Sequence, residues 1–208
     1  MPTTEESLAP GKGAQTRQAI LAAAIARFGR DGYRSTSVAD IARDASVGGT
    51  VAYAYFPNKE ALFLAAVDED AAGVIEEGLS SIFDEVNVAD WRRLLIASLV
   101  GALEHHPLAR RLLGGLEPEA TVRVLEIPAL EELRKALAER LRADQLVDRV
   151  RTDIDPTGTA NAVVAIVLSM LMAVVQLGER AAEFYADDIA GFFEAAIERT
   201  PPGAGALP

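Results

Sequence analysis

Within ten residues the sequence sets Thr50, Tyr53, Tyr55 and Lys59, with Pro57 between the aromatic run and the lysine. Threonine offers a hydroxyl to a base edge. Tyrosine joins a flat apolar ring to a hydroxyl that can bond a phosphate oxygen, and lysine adds a compact positive charge. Such a set is suited to holding a nucleic acid rather than to making or breaking bonds. Candidates for catalysis are sparse by comparison. There is no cysteine, which excludes disulfides, thiolate metal sites and a cysteine nucleophile and suits a reducing cytoplasm. The two histidines, His105 and His106, are neighbours and cannot face one metal from one helix face. No catalytic residue, metal site or cofactor is expected.

The elements around Thr50–Lys59 decide how these groups are presented. From Gln15 to Arg30, Ile20, Leu21, Ala24, Ile25 and Phe28 recur with helical spacing, and Gly32 follows where a left-handed cap is wanted. In "STSVADIARDA", Ser37 and Asp40 have capping-box spacing, and Val38, Ile41, Ala42 and Ala45 line one face of a short second helix. Three residues, "SVG", separate it from "GTVAYAYF". Two short helices joined by a tight turn containing glycine make a helix-turn-helix, whose second helix enters the DNA major groove. Val47 and Phe56 then serve as packing residues at its ends, while Thr50, Val51, Ala54 and Tyr55 face outward. Pro57 ends that helix, Asn58 caps the next, and Lys59 sits in its first turn.

Charge agrees in distribution, though not in total. The formal net charge is −11. Yet from Gly11 to Lys59 seven basic residues face three acidic ones, a balance of +4, while residues 61–208 carry 13 Lys/Arg and 25 Asp/Glu. A mildly basic head precedes a strongly acidic body.

Arg17, Ile20, Leu21, Ala24, Phe28, Gly32, Thr36, Ile41, Ala42, Ala45, Val47, Tyr53, Phe56, Lys59 and Leu62 fall without a gap on the pattern of the tetracycline-repressor-like (TetR) family, which the first quarter of the chain resembles. The resemblance implies an all-α protein: an N-terminal three-helix DNA-binding domain, a long fourth helix, and about five further helices for ligand binding and dimerisation. The expected DNA-contacting set is Arg17, Thr36, Ser37, Gly48, Gly49, Thr50, Val51, Tyr53, Ala54, Tyr55 and Lys59. Three departures matter. Gly48 stands where the family usually has serine, Gly49 where a long side chain is common, and Val51 where threonine is common. The recognition helix is therefore poor in hydrogen-bond donors, and base readout rests on Thr50 and Tyr53, on Val51 and Ala54 against thymine methyl groups, and on DNA shape.

Beyond Leu62 the pattern stays helical, with breaks near Asn87, at Pro107, from Gly114 to Pro118, at Pro128, from Asp153 to Pro156, and near Glu183. The stretch from Thr159 to Gly178 approaches transmembrane length, but its flanks carry Asp153, Asp155 and Glu179, with little of the Lys/Arg excess that orients inserted helices. A helix buried on nearly all sides in a bundle is the preferred reading. Asn161, Ser169 and Gln176 form one stripe on it, and Ile189, Phe192, Phe193, Ala196 and Ile197 an apolar face on the last helix. These two helices are expected to form the dimer seam, through Ala165, Ser169, Met172, Gln176, Phe192 and Phe193. Trp91, His105, Arg110, Glu117 and Met170 are the candidate ligand-binding residues. Trp91 reads more readily as packing, and the histidines as groups stabilising a helix C-terminus.

The expected organisation is a flexible tail over 1–13, a DNA-binding domain over 14–60, a ligand-binding and dimerisation domain over 61–199, and a second tail over 200–208. The N-terminal "MPTTEESLAPGKGA" is acidic without an apolar core, unlike a signal peptide. The expected function is that of a cytoplasmic homodimeric repressor, without membrane attachment, that binds a roughly palindromic double-stranded operator and is released by a small hydrophobic or amphipathic effector. The alternative is an all-helical small-molecule carrier or enzyme.

Overall fold

Apolar residues recur every three or four positions along most of the chain, and helices form accordingly. The computed structural model describes residues 11–83, 91–118, 124, 126–178 and 180–197. Among them run nine helices: α1 Lys12–Ser35, α2 Val38–Asp44, α3 Gly49–Tyr55, α4 Lys59–Phe83, α5 Trp91–Ala102, α6 Pro107–Leu113, α7 Pro128–Leu146, α8 Pro156–Leu177 and α9 Arg180–Ile197. The chain divides into two compact units, Met1–Val67 and Asp68–Pro208, so α4 supplies residues to both. The expected break near Asn87 and the C-terminal tail lie outside the described residues.

In the first unit the stripe Ile20, Leu21, Ala24 and Phe28 is buried, as its spacing requires. The helix starts earlier than expected, at Lys12, inside the stretch read as a flexible tail. Gly32 does adopt a positive φ of 82°, but the chain resumes one more helical turn through Ser35. Ser37 caps α2 through its hydroxyl. Its hydroxyl oxygen accepts the Asp40 backbone N–H at 3.2 Å while its O–H donates to Asp40 Oδ2 at 2.6 Å.

The turn into α3 differs from expectation. Its left-handed residue is Ser46 (φ 57°), not a glycine. Ser46 N–H donates to the Arg43 carbonyl and Val47 N–H to the Ala42 carbonyl, which is the paired bonding of a Schellman cap, with Ser46 where glycine is commonest. Gly48 is extended (φ −69°, ψ 147°) as the N-cap of α3. The same cap closes α6 on Gly115 (φ 71°) and α7 on Asp148 (φ 58°).

In the second unit α8 is the central element. Leu171 packs with Val74, Leu99, Ala109 and Leu113. Ala160 and Val163 pack with Ala138, Leu141, Phe193 and Ile197, and Met170 and Val174 with Ala181. Among the described residues α8 is the helix long and apolar enough to cross a membrane, yet only 33% of its most apolar stretch is buried within the chain. The expectation of a helix buried on nearly all sides therefore fails for a single chain. The break placed near Glu183 falls instead at Gly178, whose φ of 89° ends α8.

Candidate nucleic-acid interface

On α3 one residue points inward. Ala52 is fully buried, and the Phe56 side chain just past the helix is buried too. Successive helical residues turn by about 100°, so Thr50 and Ala54, one turn apart, lie opposite Ala52, with Val51 and Tyr53 flanking them. All four are exposed, Val51 by 41% and Tyr53 by 53%. Tyr55 is half-buried, and its hydroxyl lies 3.4 Å from where a Cβ on Gly13 would stand, which ties the end of α3 to the first turn of α1. Gly49 is exposed, and a Cβ added there would meet nothing within 4 Å.

Two cations frame this surface, each carried on an aromatic face. The Arg17 guanidinium lies 5.2 Å from the centre of the Phe56 ring. The Lys59 ammonium lies 4.3 Å from the centre of the Tyr33 ring. Tyr33 packs against Phe63 (4.8 Å between ring centres), which meets Phe28 edge-on at 5.0 Å. The ring cluster thus lies beside the lysine ammonium at the start of α4, where Asn58 Oδ1 accepts the Ala61 N–H at 2.7 Å. Sequence reasoning missed Tyr33; an aromatic directly after Gly32 was the available signal.

Three other head arginines are spent internally. Arg27 donates twice to Asp44, at 2.6 and 3.0 Å, Arg30 pairs with Asp31 at 2.8 Å, and Arg43 with Asp40 at 3.1 Å. The Arg27 hydrogen bond holds the Asp44 carboxyl below the usual carboxylate range, and Arg30 does the same for Asp31. Asp40 is lowered chiefly by the Ser37 hydroxyl. Thr36 requires a correction as a DNA contact. Its side chain is buried and its hydroxyl donates to the Gly32 carbonyl at 2.8 Å, so it braces the α1–α2 junction. The exposed Ser37 is likewise committed to Asp40.

The body's expected site residues scatter. The histidines, read as groups stabilising a helix C-terminus, meet carboxylates of α4. His105 Nδ1 lies 2.8 Å from Glu77 Oε1, and His106 Nδ1 lies 2.9 Å from Asp70 Oδ1. The His105 hydrogen bond lowers the Glu77 carboxyl. Asp70 is buried, and its other oxygen accepts the backbone N–H groups of Leu108 and Ala109 at 2.9 and 2.8 Å, capping α6 from another helix. A Cβ at Gly73 would collide with the His106 ring, so that glycine permits the approach. Glu117 pairs with Arg111 at 2.8 Å rather than with Arg110, which is exposed. Met170 is buried among Val174 and Ala181. Trp91 opens α5, but its side chain lies outside the described residues.

The expected seam also divides. Phe193 is buried in its own chain's core, so its side chain is not available to a partner, whereas Phe192 is 59% exposed. Phe184 on the same helix is 74% exposed, one side of α9 left uncovered. Ala165 and Ser169 are exposed on α8, and Met172 is half-buried. Gln176 donates from its side-chain amide to the Leu113 carbonyl at 2.8 Å, tying α8 to the end of α6.

Residues 20–66 match the family model for bacterial regulatory proteins of the tetR family, on the same segment that carries the resemblance read from the sequence. The fold is similar to that of a TetR transcriptional regulator from Chloroflexus aurantiacus J-10-FL (22% identity over 91% of this chain and 99% of that one, TM-score 0.68). It is also similar to a TetR-family regulator from Cytophaga hutchinsonii (21%, 92% and 99%, TM-score 0.65). A gamma-butyrolactone receptor, an ArpA-like protein, shares the fold more distantly (22%, 92% and 92%, TM-score 0.52). No curated protein matches the chain in sequence.

Proposed function

We propose that this chain, whose residues 20–66 carry a tetR-type DNA-binding segment, is a cytoplasmic homodimeric repressor that a small hydrophobic or amphipathic effector releases from a roughly palindromic operator. One observation carries the reading. On α3 the residue opposite the exposed Thr50–Ala54 face is the buried one, while Arg17 and Lys59 stand ready for phosphates on either flank. Such a face meets base edges and such flanks fix its register.

Dimerisation is supported by the apolar surface that one chain leaves uncovered on α8 and α9, notably Phe184 and Phe192. Two recognition helices on one duplex must stand about 34–36 Å apart, or a multiple, to enter successive major grooves. An effector that prefers a mis-spaced dimer lowers operator affinity by its differential affinity for the two states. The gamma-butyrolactone receptor of similar fold supports a small-molecule effector, and the apolar composition of the body supports a hydrophobic one.

The test runs in two steps on the whole chain. Sedimentation should give a dimer, and a randomised duplex library should yield a two-fold symmetric site. A thermal-shift screen of hydrophobic and amphipathic metabolites, gamma-butyrolactones included, should then find compounds that also release that site. At a hundred times its dissociation constant an effector adds about 2.7 kcal/mol of stability. Compounds that stabilise the protein without moving operator affinity would remove the switch from this reading, and a monomer that binds no duplex would remove the rest.

A further inference from the structure

From Val47 to Phe56 the chain contains no Arg, Lys, Asn, Gln, Asp or Glu. Discrimination of guanine or adenine in the major groove ordinarily uses the paired donors of Arg or Lys on guanine, or the side-chain amide of Asn or Gln on adenine. None of these can come from α3. The neighbouring cations are placed for other partners: Arg43 pairs with Asp40, while Arg17 over Phe56 and Lys59 over Tyr33 stand on the flanks, where phosphates rather than base edges lie. Besides Tyr53, α3 exposes methyl-bearing surface. Thr50 and Ala54 lie opposite the buried Ala52, and the exposed Val51 flanks them. Gly49 puts no side chain beside them. The base-edge feature that matches such a surface is the C5-methyl group of thymine, which projects into the major groove and is absent from the other three bases.

We infer that the operator is read mainly through thymine methyl groups, with Val51 and Ala54 as the specificity-determining contacts and Thr50 adding its methyl and hydroxyl. This rests on the DNA-binding reading above and names the chemistry its partner must present. Each half-site then contains thymines at positions facing α3, and a cytosine methylated at C5 can replace one of them at that edge more readily than unmodified cytosine can. Guanines in the site contribute through duplex shape rather than through hydrogen bonds to N7.

The experiment takes the tightest duplex selected by the full chain from a randomised library and changes it one base at a time. Each thymine is replaced by deoxyuridine, which removes only the methyl, and each guanine by 7-deazaguanine, which removes only the N7 acceptor. Deoxyuridine at one or more positions of each half-site should weaken binding about three- to fivefold, the scale of one buried methyl, and 7-deazaguanine should leave binding unchanged. Val51→Ala should abolish the thymine-to-uracil difference at one of those positions, an effect that a general loss of folded protein cannot produce. Tolerance of deoxyuridine at every position, or a loss of tenfold or more with 7-deazaguanine, would overturn the inference while leaving DNA binding intact. Failure to select any duplex would overturn the DNA-binding reading itself, and this inference with it.

Discussion

The N-terminal unit and the acidic body handle charge in opposite ways. In the head, Arg27, Arg30 and Arg43 are balanced by Asp44, Asp31 and Asp40, while Arg17 and Lys59 are held on aromatic rings instead of carboxylates. In the body, most acidic side chains lie on the surface, and the buried one among the described residues, Asp70, serves as a cap for a helix it does not belong to. The head keeps cations available for a partner; the body uses a charge to join its own parts. The two units therefore differ in vulnerability: the head's function should fail before its fold, and the body's fold before its function.

The largest effect should come from Phe193→Glu, which puts a carboxylate among Ala138, Val163 and Ile197. An unpaired buried charge should cost about 4 kcal/mol or more and unfold the body in a thermal melt. Phe192→Glu, one residue away but 59% exposed, should leave the melt nearly unchanged and shift sedimentation toward monomer. If the two variants behaved alike, the division of α9 into an inner and an outer side would be wrong.

Next in size is Asp70→Ala, which strands the Leu108 and Ala109 N–H groups and the His106 ring. A loss of about 3 kcal/mol is expected in denaturant unfolding, with Asp70→Asn recovering part of it because an amide oxygen can still accept. Full stability in the alanine variant would show that water replaces the carboxylate.

Two substitutions sharpen the head's side of the comparison by changing DNA affinity without changing stability. Lys59→Ala should weaken binding to all duplexes alike and reduce the slope of log K against log salt by about 1. Gly49→Lys should tighten binding and steepen that slope, since a Cβ there meets nothing within 4 Å and the backbone is helical. A Lys59→Ala effect confined to particular sequences would reassign the lysine to base readout.

The smallest effect is acid sensitivity. Asp31, Asp40 and Asp44 have folded carboxyl values below the ordinary one near pH 4, so each contributes stability that is present above that pH and lost as pH falls through the lowered value. These pairs are exposed, so the effect is modest. Asp44→Asn should therefore be less stable than the parent at neutral pH, and the difference should close on acidification below about pH 4. A constant difference would mean that Arg27 and Asp44 contribute by packing alone.

Where sequence reasoning succeeded, its evidence was local. The α1 stripe, the Ser37–Asp40 cap, the Asn58 cap and the outward positions Thr50, Val51 and Ala54 of α3 each involve partners within a few turns, and spacing encodes them, whereas Tyr55, also read as outward, is half-buried. Its failures share a cause. Ser46 and Asp148 occupy left-handed cap positions that are usually read from glycine, because the bonds of the cap, not the residue type, select the conformation. Thr36 looked available for DNA, but the carbonyl it satisfies is that of Gly32, which faces it only once α1 has kinked.

The sequence by itself determined that the chain is helical, that a helix-turn-helix precedes an acidic body, and that α3 carries no Arg, Lys, Asn or Gln to read base edges. These depend on periodicity, capping and composition, all short-range. Only the tertiary structure decided that His106 meets Asp70 from 36 residues away, that Gln176 reaches Leu113 across 63, and that Phe193 turns inward while Phe192 stays out. Adjacent apolar residues on a helix are equivalent in sequence until a second helix covers one side of them. Burial is set by that packing, and no local pattern records it.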